Sequence, residues 1–143
     1  MSKPSTKLSR WHRALMILCL FVGIGALGGG AMGLISPDGS LIQAQTIITD
    51  LQKNTPFVGQ YIDSLVIPAI ALLLFVCIPQ TTAGILLLRR HSLQYTAGIL
   101  VGAMLIVFTF VEMILLPNPL SILYMIFGVI EIIAALLAQK AAA

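Results

Sequence analysis

The chain has 143 residues, of which 59% are apolar and only 9% charged, and it carries a net charge of +3. That length allows at most one domain, and the charged fraction lies far below the roughly 25% of water-soluble domains, so a soluble globular fold is excluded. The basic residues sit at the ends of apolar runs instead of along a solvated helix face, which argues for a lipid bilayer and against nucleic acid as the partner.

Residues 1–13 form a basic N-terminus with Lys3, Lys7, Arg10 and Arg13. Trp11 is placed as an interfacial anchor, and His12 beside it reads as a solvated headgroup-region residue. Residues 14–35 carry no charge. The run exceeds the ~7–15 residues of a signal-peptide core and spans about 33 Å, so it reads as a retained first transmembrane helix. Gly25, Gly29 and Gly33 recur every four residues and predict a face where another backbone approaches closely, in this chain or in a second copy. The triplet Gly28-Gly29-Gly30 has no preceding strand and no following Lys-Ser/Thr, so it is not a phosphate loop.

Residues 36–64 are read as a loop. Ser36-Pro37-Asp38-Gly39-Ser40 is a turn: proline presets φ, aspartate bonds back to the backbone and glycine takes a positive φ. Leu41, Ala44, Ile47, Ile48 and Leu51 then fall at helical spacing, with Gln43, Gln45, Thr49, Asp50 and Gln52 opposite. This predicts a short amphipathic helix at the membrane interface or capping a bundle. Asn54-Thr55-Pro56 ends it, Phe57 and Tyr61 return the chain to the interface, and Asp63-Ser64 reads as a helix N-cap.

Residues 65–88 form the second span, interrupted by Pro68 and Pro79. A proline frees a backbone carbonyl, and Gln80, Thr81 and Thr82 supply groups to satisfy such carbonyls. Cys77, Gln80 and Gly84 share a face, which turns Gln80 inward. Residues 89–92, with Arg89, Arg90 and His91, make a turn short enough to require antiparallel neighbours. Cys19 and Cys77 lie singly in apolar runs and His91 has no companion ligand, so neither a disulfide, a metal nor a cofactor is expected.

The third span, 93–116, and the fourth, 120–138, are joined by a tight turn at 117–119. Gly98, Gly102, Leu105, Thr109 and Glu112 line one face of the third; Ser121, Tyr124, Gly128, Glu131 and Ala135 line one face of the fourth. These small and polar faces are expected to meet, with the apolar remainder toward lipid. Residues 139–143 read as a frayed end. The fold class is therefore all-α: a four-helix transmembrane bundle with a short amphipathic extracytoplasmic helix in its first loop. Four spans put both termini on one side. Of the eight Lys and Arg residues, all but Lys53 share that side, so the positive-inside rule places both termini in the cytoplasm.

Glu112 and Glu131 are the costliest side chains here, since an ionised group in hydrocarbon costs at least ~2.5 kcal/mol. Counting along the helices puts Glu112 about 6 Å and Glu131 about 18 Å below the loop-side surface, too far apart to share a proton. Tyr124 is level with Glu112, which predicts a hydrogen bond between them. Glu131 is level with Gln80, Thr81 and Thr82, has no cation at its depth, and is expected to be neutral and hydrogen-bonded. No nucleophile–base set or metal constellation accompanies them, so the chain reads as non-enzymatic. The leading expectation is a protein acting by helix packing, as a homo-oligomer or an accessory subunit of a membrane partner. Gly25, Gly29, Gly33, Gly98, Gly102 and Gly128 would be its packing residues. The alternative is a small proton- or cation-linked transporter or channel built on Glu112, Glu131, Tyr124, Thr109 and Gln80. Four helices enclose little room, so that version calls for a dimer or larger assembly. A third reading, a membrane enzyme or lipid-binding module, would use the loop with Asp38, Asp50 and Asp63.

The chain is similar to small multidrug-resistance exporters in length and span number only, since their glutamate belongs to the first span. It resembles more closely a broad group of uncharacterised bacterial four-span membrane proteins. The shared features are Ser36-Pro37-Asp38-Gly39, Thr55-Pro56-Phe57, Ile67-Pro68 opening the second span, Arg89-Arg90-His91, and Glu112 before the last hairpin. The resemblance implies a bacterial inner-membrane setting and this topology, and brings no activity with it.

Overall fold

The structure, a computed structural model, describes residues 10–40, 45–54, 64–115 and 119–142. Their regular structure is helical throughout. Helix α1 covers Arg10–Ile35, α2 Gln45–Asn54, α3 Val66–Leu88, α4 Gln94–Leu115 and α5 Pro119–Ala142. All but α2 are long and apolar enough to cross a membrane, which makes the chain a multi-pass membrane protein. About a third of each span is buried against the others. Phe21, Ile24, Phe110, Ile114, Ile126 and Ile133 are exposed, forming the lipid-facing surface.

The four spans pack in the ring α1–α3–α4–α5, each against two neighbours, with the diagonal pairs hardly meeting. The α4–α5 hairpin is the tightest element. A Cβ on Gly102 would lie 2.8 Å from the Gly128 carbonyl oxygen, and one on Gly128 would lie 2.9 Å from that of Gly102. The two backbones touch there, as the small-residue faces led one to expect. Gly98 packs against Leu15 and Ala135, and Gly33 against Ala69 and Leu65.

On α1 the packing seam differs from the expected one. Gly23 and Gly30 lie against Thr81 and Leu73 of α3, whereas Gly28 has nothing within 4 Å, and Gly25 and Gly29 are exposed. The reason is helical geometry. A strict four-residue step rotates about 40° at each repeat, while alternating steps of three and four stay on one line. Gly23, Ala26, Gly30 and Gly33 follow that line and are buried.

Helix ends also depart from expectation. Helix α1 begins at Arg10, and α5 runs on to Ala142, past the expected frayed end. Gln, Lys and Ala favour helix, and Lys140 complements the C-terminal dipole. Helix α2 ends at Asn54, as Asn54-Thr55-Pro56 predicts; residues 41–44, 55–63 and 116–118, including Phe57, Tyr61, Asp63 and most of the 117–119 turn, lie outside the described residues. The N-cap of α3 is Leu65, without a side-chain cap bond, instead of the expected Asp63-Ser64; the Ser64 hydroxyl accepts from the Val66 N–H at 3.3 Å.

The Ser36–Ser40 turn matches its sequence. Asp38 Oδ1 accepts from the Ser40 N–H at 2.9 Å and the Ser36 hydroxyl at 3.0 Å, and Gly39 has φ 75°. The Ser40 backbone bond, followed by the side chains of Ser40 and Ser36, holds the Asp38 carboxyl below its usual pKa. A 2.7 Å bond from Leu65 N–H to the Pro37 carbonyl ties this turn to the start of α3.

Proline 79 is absorbed by a widened turn. Leu73–Cys77 is π-helical, and the Ile78 N–H reaches back five residues to Leu73. The wider turn makes room for a ring that would otherwise strike the carbonyl four residues earlier. Thr82 donates to the Ile78 carbonyl at 2.7 Å. The Gln80 side chain, by contrast, bonds to other helices.

Candidate functional site

The five polar residues singled out from sequence separate into two sites at different depths. One is a buried pair in the middle of the bundle; the other is a cavity toward the loop end, the end bearing α2, Leu115 and Pro119.

The pair is Gln80 and Glu131. Depth counting puts them level, and their packing faces turn both inward: Gln80 is 1% exposed and Glu131 0%. Gln80 Nε2 donates to Glu131 Oε2 at 2.9 Å and weakly to the Val101 carbonyl at 3.4 Å. The bond crosses the diagonal of the ring, joining α3 to α5, which otherwise barely meet. Gln80 Oε1 and Glu131 Oε1 are buried without a hydrogen-bond partner. Leu15, Cys19, Ala83, Leu87, Val101, Ala134 and Ala135 form a solid apolar layer around and beyond the pair, toward the chain termini.

That terminal end is closed by a contact the sequence reading missed. His12, expected in the headgroup region, is 1% exposed. Its Nε2 donates to the Leu87 carbonyl at 3.2 Å and its Nδ1 lies 2.8 Å from the Tyr95 hydroxyl. A carbonyl only accepts, so in the neutral ring Nε2 carries the hydrogen and Nδ1 accepts from Tyr95. One imidazole thereby joins α1, the end of α3 and the start of α4. The signal available was weak: a lone histidine next to tryptophan at a helix start is equally compatible with headgroups. The adjoining turn is a Schellman motif, with bonds from Arg90 N–H to Leu87 and from His91 N–H to Leu86. Arg90 stands at φ 52° where glycine is usual.

Toward the loop end the bundle is hollow. A cavity of about 580 Å³ is bounded by all four spans and by α2. Its walls include Val22, Leu72, Val76, Leu105 and Phe108, and its polar groups are Thr46, Asp50, Thr109, Glu112 and Tyr124. Room of this size exists within one chain because Gly25 and Gly29, which border it, lack side chains. The cavity is half open, and α2 supplies part of its wall beside the four spans. Asp50, read as part of a solvated face, is brought to the cavity wall one turn from Thr46 on α2.

Glu112 and Tyr124 both line this cavity. The Tyr124 hydroxyl is directed toward α1, where a Cβ on Gly25 would lie 3.6 Å from it. The ring stacks edge-on against Phe127 at 5.7 Å. Thr109 donates to its own helix, to Leu105 at 2.7 Å and Ile106 at 3.1 Å, so it offers the cavity only lone pairs. Among the described residues, the cavity lining contains two carboxylates and no lysine, arginine or histidine. Its chemistry suits a cation with an apolar body. Val22, Val76 and Leu105 lie at its floor, and with Ala26 and Cys77 they make an apolar layer between the cavity and the Gln80–Glu131 pair.

No group of three or more His, Cys, Asp or Glu residues that could hold a metal ion occurs among the described residues. No family model matches the chain, and neither the curated proteins nor the solved structures show a similar one.

Proposed function

We propose that this chain is a small, non-enzymatic solute-binding or transport protein of a bacterial inner membrane, with both termini cytoplasmic and the cavity facing outward. The cavity supports this reading. It has ligand size, mostly apolar walls, and two carboxylates, Asp50 and Glu112, in its lining. A solute with one or two positive charges and a hydrophobic body complements it. The orientation follows from the basic residues clustered at the terminal end.

The test is equilibrium binding of a quaternary phosphonium cation to the protein in nanodiscs. Saturable binding is expected, lost in the Asp50→Asn, Glu112→Gln double variant and absent for a neutral compound of the same shape. Equal binding to wild type and double variant would sink the proposal.

A homo-oligomer or accessory subunit has less behind it, because Gly23, Gly30, Gly33, Gly98, Gly102 and Gly128 are taken up by contacts within the chain. Gly28, which faces open space on α1, is the glycine through which a second copy or a membrane partner could still approach.

A further inference from the structure

We propose that Gln80 and Glu131 form a binding site for a single proton, held on Glu131 in an acid–amide ring that ties α3 to α5 across the bundle. The site is distinct from the cavity and does not depend on what the cavity binds. One edge of the ring is present: Gln80 Nε2 donates to Glu131 Oε2 at 2.9 Å. The other edge would join Gln80 Oε1 to Glu131 Oε1, each buried without a partner. A primary amide and a carboxylic acid pair edge to edge through these four atoms when the acid carries its hydrogen. One proton on Glu131 Oε1 turns an acceptor into a donor toward Gln80 Oε1, satisfies both atoms and removes the charge.

Turning the amide over does not remove the requirement. With Gln80 Oε1 against the carboxyl, two oxygens face each other and the acid must again supply the hydrogen. A metal cation fits poorly, because hard cations such as calcium and magnesium draw about six or more oxygen ligands, and only these two are unpartnered in this layer.

The groups facing the pair agree with a proton. Helix α1 contributes Cys19 of the buried apolar layer, and α4 contributes the Val101 carbonyl. No lysine or arginine is buried among the described residues, so nothing there compensates a carboxylate. Releasing the proton leaves that carboxylate against an amide oxygen in a dry layer, and the cross-tie opens. Proton occupancy thereby controls the packing of the terminal half.

The experiment is infrared spectroscopy of the protein in lipid, with glutamate labelled by carbon-13 at the side-chain carboxyl, in a Glu112→Gln chain. Glu131 is then the only glutamate. A protonated-carboxyl band is expected at neutral pH, unchanged when sodium replaces choline. Adding Gln80→Leu should move it to higher frequency as the amide donor is lost. Deprotonation at alkaline pH should be accompanied by faster amide hydrogen exchange around residues 80 and 131. A carboxylate band at neutral pH would overturn the proposal, as would a band displaced by sodium or an alkaline deprotonation without faster exchange. The wild-type chain, labelled in the same way, carries the same test should Glu112→Gln fail to assemble, with its second band assigned by the sodium and pH responses.

Discussion

The two halves of the bundle use the same kinds of residue to opposite ends. Toward the termini, small residues bring helices together: Gly98, Ala134 and Ala135 let Leu15 and Leu87 fill the centre, and His12 fastens three elements. Toward the loops, small residues keep space open: Gly25 and Gly29 border a cavity that α2 covers. Whether a missing side chain closes or opens a bundle depends on where the facing helix runs. In the closed half the neighbouring backbone is within reach. At Gly25 and Gly29 it is not, and Tyr124, Phe108 and Leu72 define the walls instead.

The largest expected effect tests the hairpin that both halves share. Gly102→Leu places a branched side chain where even a Cβ would stand 2.8 Å from the Gly128 carbonyl. It should destabilise by about 3 kcal/mol or more, read by reversible denaturation in mixed micelles. Gly28→Ala, with nothing within 4 Å, should be neutral or stabilise slightly, by up to about 1 kcal/mol. A Gly102→Leu chain as stable as Gly28→Ala would mean that close approach does not decide the stability of the hairpin.

Next in size is the buried pair. Gln80→Leu leaves Glu131 without its donor and should cost about 1–3 kcal/mol, with the Gln80→Leu, Glu131→Leu double variant recovering most of it. Glu112→Gln in the cavity should change stability by less than about 0.5 kcal/mol. A double-mutant cycle between Gln80 and Glu131 measures the difference between the halves directly. Tyr95→Phe comes third. It removes the hydroxyl that meets His12 and should cost about 1 kcal/mol, with faster hydrogen exchange confined to the terminal end.

The smallest effect is at the turn between α1 and α2. The Asp38 carboxyl has a depressed pKa, so its contribution is present above the ordinary carboxylate range and is lost as the pH falls through the depressed value. Exchange at the Ser40 N–H should quicken in that acid window, and Asp38→Asn should abolish the pH dependence while keeping much of the turn.

Much of the candidate site was legible from counting. At 1.5 Å per residue, depth is set by position in a span, which is how Gln80 and Glu131 were matched across helices far apart in sequence. The same count placed Tyr124 level with Glu112. Depth does not carry azimuth, so it could not show that the Tyr124 hydroxyl turns toward Gly25, or that Asp50 of α2 closes over the cavity. His12 was misplaced for the same reason: its level was right, and the neighbouring Leu87 and Tyr95 that bury it belong to other helices.

What the sequence determined by itself is what hydrocarbon demands: the number of spans, their approximate ends, the Ser36–Ser40 turn, and an inward-facing Gln80 and Glu131. Those follow because a bilayer penalises charge and unpaired backbone one segment at a time. Tertiary structure alone decided which glycines touch, that one chain forms a half-open cavity, and that Glu131 and Gln80 meet with one oxygen of each left over. These depend on crossing angles and rotations, which arise between helices and have no signature within any one of them.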